Sequence, residues 1–398
     1  MRERPALYQF WYLSKSFKSI TGSSLSYFLG LYISSICQVK PLLTTIELAV
    51  ITNPTFNASK VNYAIKLLTT CRRLITTCKI SIFMSRYGSI SLTREILVLA
   101  LGGNAIVGKS RTFQSQLEAV SSVTGEIAKL VRKGYRVIVT HGNGPQVGDA
   151  LLRHESARHL VPPLPLYACV AETQGLLGSM IESSLSYHLD CHDVVSLVSI
   201  VYVSKKDPAF KRLSKPIGPV YDENQLEEAK KRNPNSIFKE IDLHRYRRLV
   251  ASPDPLYISG FRAVKDLLKR GYVVITAGGG GIPAVKEGQR TVFVDAVVDK
   301  DLASEKIATS IGASKFVSLT DVEGAYLDYI GRKKLLRNVT AKQMKTYLRN
   351  GEFEEGSMAP KVKAAVRFVE NTGNRAIICS FTNIFEAIAE RTGTVIHK

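Results

Sequence analysis

From about residue 96 onward the sequence predicts an α/β fold, a three-layer sandwich with helices on both faces of a mainly parallel central sheet. Short apolar, β-branched runs alternate with amphipathic stretches of helical period, which is the pattern of buried parallel strands covered on both sides. Three of those runs pass directly into glycine-rich loops: Gly102-Gly103-Asn104, His141-Gly142-Asn143-Gly144 and Ala277-Gly278-Gly279-Gly280-Gly281. In open α/β sheets ligands bind beyond the carboxyl ends of the strands, so three such loops at one sheet edge point to a site there.

The elements follow in order. Ile96–Leu101 reads as the first strand, and a helix from about Ser115 to Lys133 stops at Gly134. Tyr135–Thr140 is the next strand. A helix over Glu172–Leu189 precedes a long apolar strand, Val194–Val203. Between Ser204 and Arg248 the alternation lapses into prolines (Pro208, Pro216, Pro219, Pro234) and charges. That length suits an irregular loop or a small protruding subdomain, and long loops in compact domains are commonly functional. Ile258–Arg270 reads as a helix closed by Gly271, Tyr272–Thr276 as a strand and Asp301–Ile311 as a helix. Lys315–Leu319, Pro360–Asn371 and Arg375–Cys379 complete the pattern as strand, helix and strand.

The 398 residues are 45% hydrophobic and 22% charged, which excludes a wholly disordered chain and supplies a core without disulfides or a structural metal. A net charge of +20 first suggests a nucleic-acid partner. The excess is uneven, however. Residues 1–95 hold 12 Lys/Arg against 3 Asp/Glu, while the rest hold 42 against 31. The first 95 residues are also Ser/Thr-rich and lack a sustained period. Their most apolar run, Leu25–Ile36, is shorter than the roughly 20 residues a bilayer span takes. Three readings stay open: a dispensable upstream extension with the true start at Met84, a targeting segment, or a small module binding nucleic acid or a membrane surface. The first ranks highest, so a chain begun at Met84 is expected to fold and work.

Six cysteines (37, 71, 78, 169, 191 and 379) form no CxxC pair, and His188, Cys191 and His192 lack a fourth ligand at zinc spacing. A reduced, cytoplasmic setting fits this usage, with an organelle ranked behind it. Gly103–Ser110 matches the P-loop pattern G-x-x-x-x-G-K-[ST] after a strand. Against it, Arg111-Thr112-Phe113 opens no apolar helix at Lys109-Ser110, and no strand ending in an isolated Asp stands by to hold magnesium. The better reading is that each glycine loop cradles an anion with backbone N–H groups, helped by the next helix's dipole.

Longer motifs place the chain among known families. Leu99-Ala100-Leu101-Gly102-Gly103-Asn104-Ala105, His141-Gly142-Asn143-Gly144-Pro145-Gln146-Val147-Gly148 and Glu172-Thr173-Gln174-Gly175 resemble carbamate kinases of the amino acid kinase superfamily. Lys206-Asp207-Pro208-Ala209-Phe210 with Lys215-Pro216-Ile217-Gly218, Gly278-Gly279-Gly280-Gly281-Ile282-Pro283, Val298-Asp299-Lys300-Asp301-Leu302-Ala303 and Gly356-Ser357-Met358-Ala359-Pro360-Lys361 continue the match in order. Ala284 departs slightly from the pattern, and residues before 96 lie outside it.

The resemblance implies reversible phosphoryl transfer between ATP and carbamate, with Mg2+ carried on the nucleotide phosphates, a place in arginine breakdown and a homodimer. Kinases of another carboxylate, such as N-acetylglutamate, are the competing enzyme class. An anionic carbamate oxygen needs no general base, so catalysis rests on alignment and charge neutralisation. By carry-over, Lys361 meets the nucleotide phosphates, Lys300 the transferring group, and Asp301, with Asp299 as rival, holds the lysines. Lys205, with Lys206 beside it, is expected to reach carbamate from a lid at 204–248. Gly102, Gly103, Asn104, Gly142, Asn143 and Gly144 are expected to bind carbamate and the phosphoryl group. Gly278, Gly279 and Gly280, with Thr320, Asp321 and Tyr326 along the loop 320–326, are expected to bind nucleotide within a lobe spanning 256–398. His141 is expected to orient its loop rather than react.

Overall fold

The computed structural model describes residues 95–398 apart from 109, 111, 190–192, 233, 235 and 330. The readings placed on residues 1–94 and on Lys109, Cys191 and His192 lie outside the described residues. β1 (Ile96–Leu101) leads into a short α1 (Asn104–Val107) and a long α2 (Phe113–Arg132). β2 (Arg136–His141) leads into α3 (Gly144–Ser156) and α4 (Leu166–Leu189). β3 (Val194–Ser196), β4 (Ile200–Val203), β5 (Lys215–Tyr221), α5 (Glu223–Arg232), β6 (Ile237–Asp242), β7 (Arg245–Val250) and β8 (Pro255–Ile258) follow. Next come α6 (Phe261–Lys269), β9 (Val273–Ile275), β10 (Ile282–Glu287), β11 (Arg290–Phe293), α7 (Lys300–Ile311) and β12 (Lys315–Thr320). β13 (Tyr326–Leu327), β14 (Lys334–Leu335), β15 (Asn338–Thr340), α8 (Ala341–Arg349), α9 (Met358–Thr372), β16 (Arg375–Ser380), α10 (Ile384–Ile388) and β17 (Thr394–His397) complete the order.

Eight strands form the central sheet in the order β15-β17-β16-β12-β1-β2-β9-β3. All neighbours run parallel except β16 and β17. Alternation along β1 shows why both faces are covered. Val98 and Ala100 join a core with α7 and α9 (Leu302, Ile307, Val362, Phe368), while Leu97, Leu99 and Leu101 join one with α2 and α4 (Val123, Ile127, Leu177, Ile181). Each of these side chains larger than alanine contributes about 1.5–3 kcal/mol when removed from water, so the two layers hold the sheet between them.

Two predicted elements need correction. The apolar run Val194–Val203 is two strands, not one. β3 edges the central sheet, and β4 joins a second sheet ordered β11-β10-β4-β8. Gln174 secures the break, accepting from Ser199 N at 3.0 Å and donating to Ser199 O at 3.1 Å. An apolar run carries no mark of a change of partner. Likewise the helix expected over Ile258–Arg270 starts only at Phe261, because Gly260 turns left-handed (φ 73°) and Pro255–Ile258 pairs with β4. Residues 215–250, which showed no period, form an antiparallel sheet ordered β5-β7-β6 with α5 against it.

Candidate active site

β1, β2 and β9 are neighbours in the central sheet, so the three glycine loops emerge side by side at its carboxyl edge. A cavity of about 650 Å³ opens there, lined by Gly102, Gly103, Gly142, Asn143, Gly144 and Gly279. Asn104 is the first residue of α1, between two residues of that lining. Gly279 (φ 64°) faces Asn143 so closely that a Cβ would lie 2.1 Å from Asn143 Nδ2. Asn143 in turn donates to Thr173 Oγ1 at 2.9 Å, which fixes the β2 loop against α4. Gly278 and Gly280 are buried and stand behind the lining, against His141 and the Val298 carbonyl. They shape the loop.

The cavity floor is ionic. Asp299 caps α7, accepting from Asp301 N at 2.9 Å, and so delivers Lys300 and Asp301 at the helix's first turn. Asp301 accepts from Lys300 Nζ at 3.0 Å, from Lys361 Nζ at 3.3 Å and from Ser318 Oγ at 2.7 Å. Its rival Asp299 takes a different lysine: Lys215 Nζ donates to Asp299 Oδ2 at 2.9 Å. Burial opposes the ammonium of Lys300 and, with Lys361 nearby, outweighs the pull of Asp301, bringing its pKa down to about 8. Burial alone would raise Asp301, but Lys300 and Lys361 hold it well below the usual carboxylate range. Lys361 lies in the first turn of α9 behind Gly356-Ser357, and neither α9 nor α3 carries an acid in its first turn. Their dipoles therefore point uncancelled positive ends at the cavity.

On the other side Thr320, Asp321, Tyr326 and Tyr329 line the cavity, the two tyrosine rings meeting edge to face at 5.8 Å. His141 is buried, and its Nδ1–H donates to Gly142 O at 3.1 Å. Burial lowers its pKa to about 4, so it is neutral near pH 7 and orients the loop.

Lys205 requires a correction. Its side chain is 74% exposed and pairs with Glu287 at 2.7 Å, outside the cavity, and Lys206 is exposed as well. The lysine brought from the 204–248 segment is Lys215, which sequence reasoning missed. Its one signal was its place directly before Pro216-Ile217-Gly218. The P-loop match also fails in geometry. The helix after Gly103 ends at Gly108, and α2 starts only beyond Thr112, which caps it by accepting from Ser115 N at 3.2 Å. His188 Nε2 faces Ser121 O at 3.0 Å.

Parallel strands meeting a cationic, glycine-lined cavity at their carboxyl ends define a phosphate-handling α/β protein, and comparison with known proteins agrees. The profile of the Amino acid kinase family matches residues 95–380, and the chain belongs to that family. Among its relatives, a carbamate kinase of Pyrococcus horikoshii is 40% identical over 311 residues, spanning 76% of this chain and 99% of that protein. Carbamate kinase 2 of Staphylococcus aureus is 38% identical with the same coverage. The solved carbamate kinase from Giardia lamblia bound to AMP-PNP superposes with a TM-score of 0.72 at 34% identity, covering 76% of this chain and 98% of that one.

Proposed function

We propose that this chain is a carbamate kinase, transferring a phosphoryl group reversibly between ATP and carbamate to give ADP and carbamoyl phosphate. The observation that carries the reading is the match over nearly the full length of carbamate kinases about 40% identical to it. The cavity's chemistry supports it. Carbamate arrives as an anion, so the attacking oxygen needs no base, and the neutral His141 lies behind the lining. What the reaction needs is charge neutralisation and alignment along the transfer axis.

In this reading Lys361 and the amino end of α9 hold the nucleotide phosphates, and Lys300 meets the transferring group. Asp301 positions both lysines, and Lys215 approaches from the β5-β7-β6 subdomain in the role first given to Lys205. Backbone N–H groups of the Gly102–Asn104 and Gly142–Gly144 loops receive carbamate and the phosphoryl oxygens, as preorganised donors do for developing charge. The bond from the phosphorus to the ADP oxygen breaks as the bond to the carbamate oxygen forms, and no proton moves. Thr320, Asp321, Tyr326 and Tyr329 flank the nucleotide's far end.

The donor set suits Mg2+ that enters with the nucleotide. The cavity's acidic groups are hard oxygens, and Asp299 and Asp301 are already engaged by lysines, so phosphate oxygens and water would supply most ligands, with the lining carboxylate of Asp321 able to join them. Bound there, the ion would neutralise charge on the β- and γ-phosphates. A homodimer belongs to the same reading and is tested by light scattering. Among the described residues, no helix is long and apolar enough to cross a membrane.

The deciding experiment is a coupled assay for ATP formation from ADP and carbamoyl phosphate, run beside acetylglutamyl phosphate. Turnover confined to carbamoyl phosphate is expected. Turnover of the acetylglutamyl compound alone would move the protein to the competing class.

A further inference from the structure

Away from the cavity, α3 and α4 form a helical hairpin joined by residues 157–165, and a mixed donor set gathers near its turn. His154 lies in the last turn of α3, while Cys169 and Glu172 stand one turn apart on α4, a spacing that places both on one helix face. His154 Nε2 is 3.2 Å from Glu172 Oε2, and one ligand atom from each of the three residues lies within 4.8 Å of the others. Cys169 is buried, and its Sγ approaches Leu164 O at 4.0 Å. The Glu172 side chain is 47% exposed, which leaves the cluster an open mouth.

We propose that His154, Cys169 and Glu172 form a binding site for a divalent transition metal of the zinc type. Two of the donors are sulfur and imidazole nitrogen, which favour zinc over magnesium or calcium. In a tetrahedral zinc site, metal–ligand lengths of about 2.0–2.3 Å set the donors roughly 3.3–3.8 Å apart, so the observed cluster needs only small side-chain movements. Charge closes as well. Binding releases one proton, from the Cys169 thiol, and the resulting thiolate and the Glu172 carboxylate offset the dication. A half-buried site is thus left without net charge, which burial would otherwise penalise. His154 binds through its Nε2 lone pair, its ring proton standing on Nδ1, and solvent takes the fourth position at the open mouth.

The site lies behind the subdomain that carries Lys215. Val147 and Leu151 of α3 pack with Cys169 and with Ile217 of β5 in one cluster. A metal there would tie α3 to α4 beneath β5. The inference does not depend on the kinase reading.

The test uses the full chain, stripped by chelator and titrated with Co2+ and then Zn2+. Expected are a near-ultraviolet thiolate-to-cobalt band that saturates at one equivalent, its displacement by Zn2+, and a rise in melting temperature with Zn2+. Cys169→Ser removes the band. His154→Ala and Glu172→Gln, at partly exposed positions, weaken binding by at least about tenfold. Should Cys169→Ser fail to fold, those two variants decide. Absence of the band at one equivalent, or a band of unchanged affinity in both His154→Ala and Glu172→Gln, overturns the proposal, the latter by placing the metal on other cysteines.

Discussion

Replacing Asp301 by Asn tests the ionic floor most directly. The substitution keeps the shape of the side chain and removes the one charge that both Lys300 (3.0 Å) and Lys361 (3.3 Å) engage. At an effective dielectric near 20, each contact corresponds to about 5 kcal/mol of attraction before desolvation is counted. Stripping the common partner from a buried pair costs about 3–5 kcal/mol net, because the lysines stay buried without compensation. Lys300, already down at about 8, then drops further, because Asp301 is the partner that holds it up. Turnover in the ATP-forming assay should fall by more than about a hundredfold, the scale on which preorganised electrostatic groups act. Urea melts should show the stability loss at neutral pH. With Asp301 gone Lys300 sheds its proton at lower pH than in the parent, so this deficit shrinks as pH rises and levels off at about 8, where the parent's Lys300 has lost its proton too, while the activity deficit does not recover. A variant that keeps turnover within about tenfold of the parent, with the parent's pH dependence, would show that the floor does not work through Asp301.

Four further outcomes follow from the same geometry. Since the free Lys300 loses its charge as pH rises through about 8, kcat/KM should decline above that pH, and a profile flat to about pH 9.5 argues against its role. Lys215→Ala should lower kcat/KM for carbamoyl phosphate by at least about tenfold, while Lys205→Ala, which breaks an exposed pair, should change it by less than about twofold; the reverse order restores the first assignment. Ser318→Ala removes a buried hydroxyl bonded to Asp301, worth about 1.5 kcal/mol or roughly tenfold in kcat. Ser318→Thr should recover part of it, and equal losses in both would mean packing alone is felt. Gly279→Ala meets both a left-handed backbone and the Asn143 amide, so soluble yield and activity should both collapse, and near-normal activity would show that the two loops need not touch.

The central sheet was legible because its strands are buried on both faces and read as unbroken apolar runs between helices with caps and glycine stops. The same property hid the second sheet. Val201 and Val203 are as apolar as Val194, and nothing local says that the chain leaves one sheet after Ser196 and enters another at Ile200. That break is held by Gln174, a side chain 25 positions away in sequence. The subdomain at 215–250 lacked a period for a related reason. Its β6 is exposed at five of six positions and β5 carries two prolines, so no alternation of apolar and polar residues could form.

Residues of the site divide along the same line. Lys300, Asp301 and Lys361 sit in the first turns of helices that follow loop motifs, and the resemblance of those motifs to carbamate kinases assigned their roles, whereas spacing alone does not show that the two helix starts converge. Lys205 and Lys215 belong to a segment whose position depends on which strand pairs with which. The pairing of β5 with β7 carries Lys215 to Asp299, while the turn after β4 leaves Lys205 against Glu287 on the second sheet. Ten residues separate two lysines of equal chemistry, and only strand pairing tells them apart. A lysine in the first turn of a helix can therefore be argued from the motif that carries it, whereas one on a subdomain strand must be located by its partner, and here that partner is the aspartate that also caps α7.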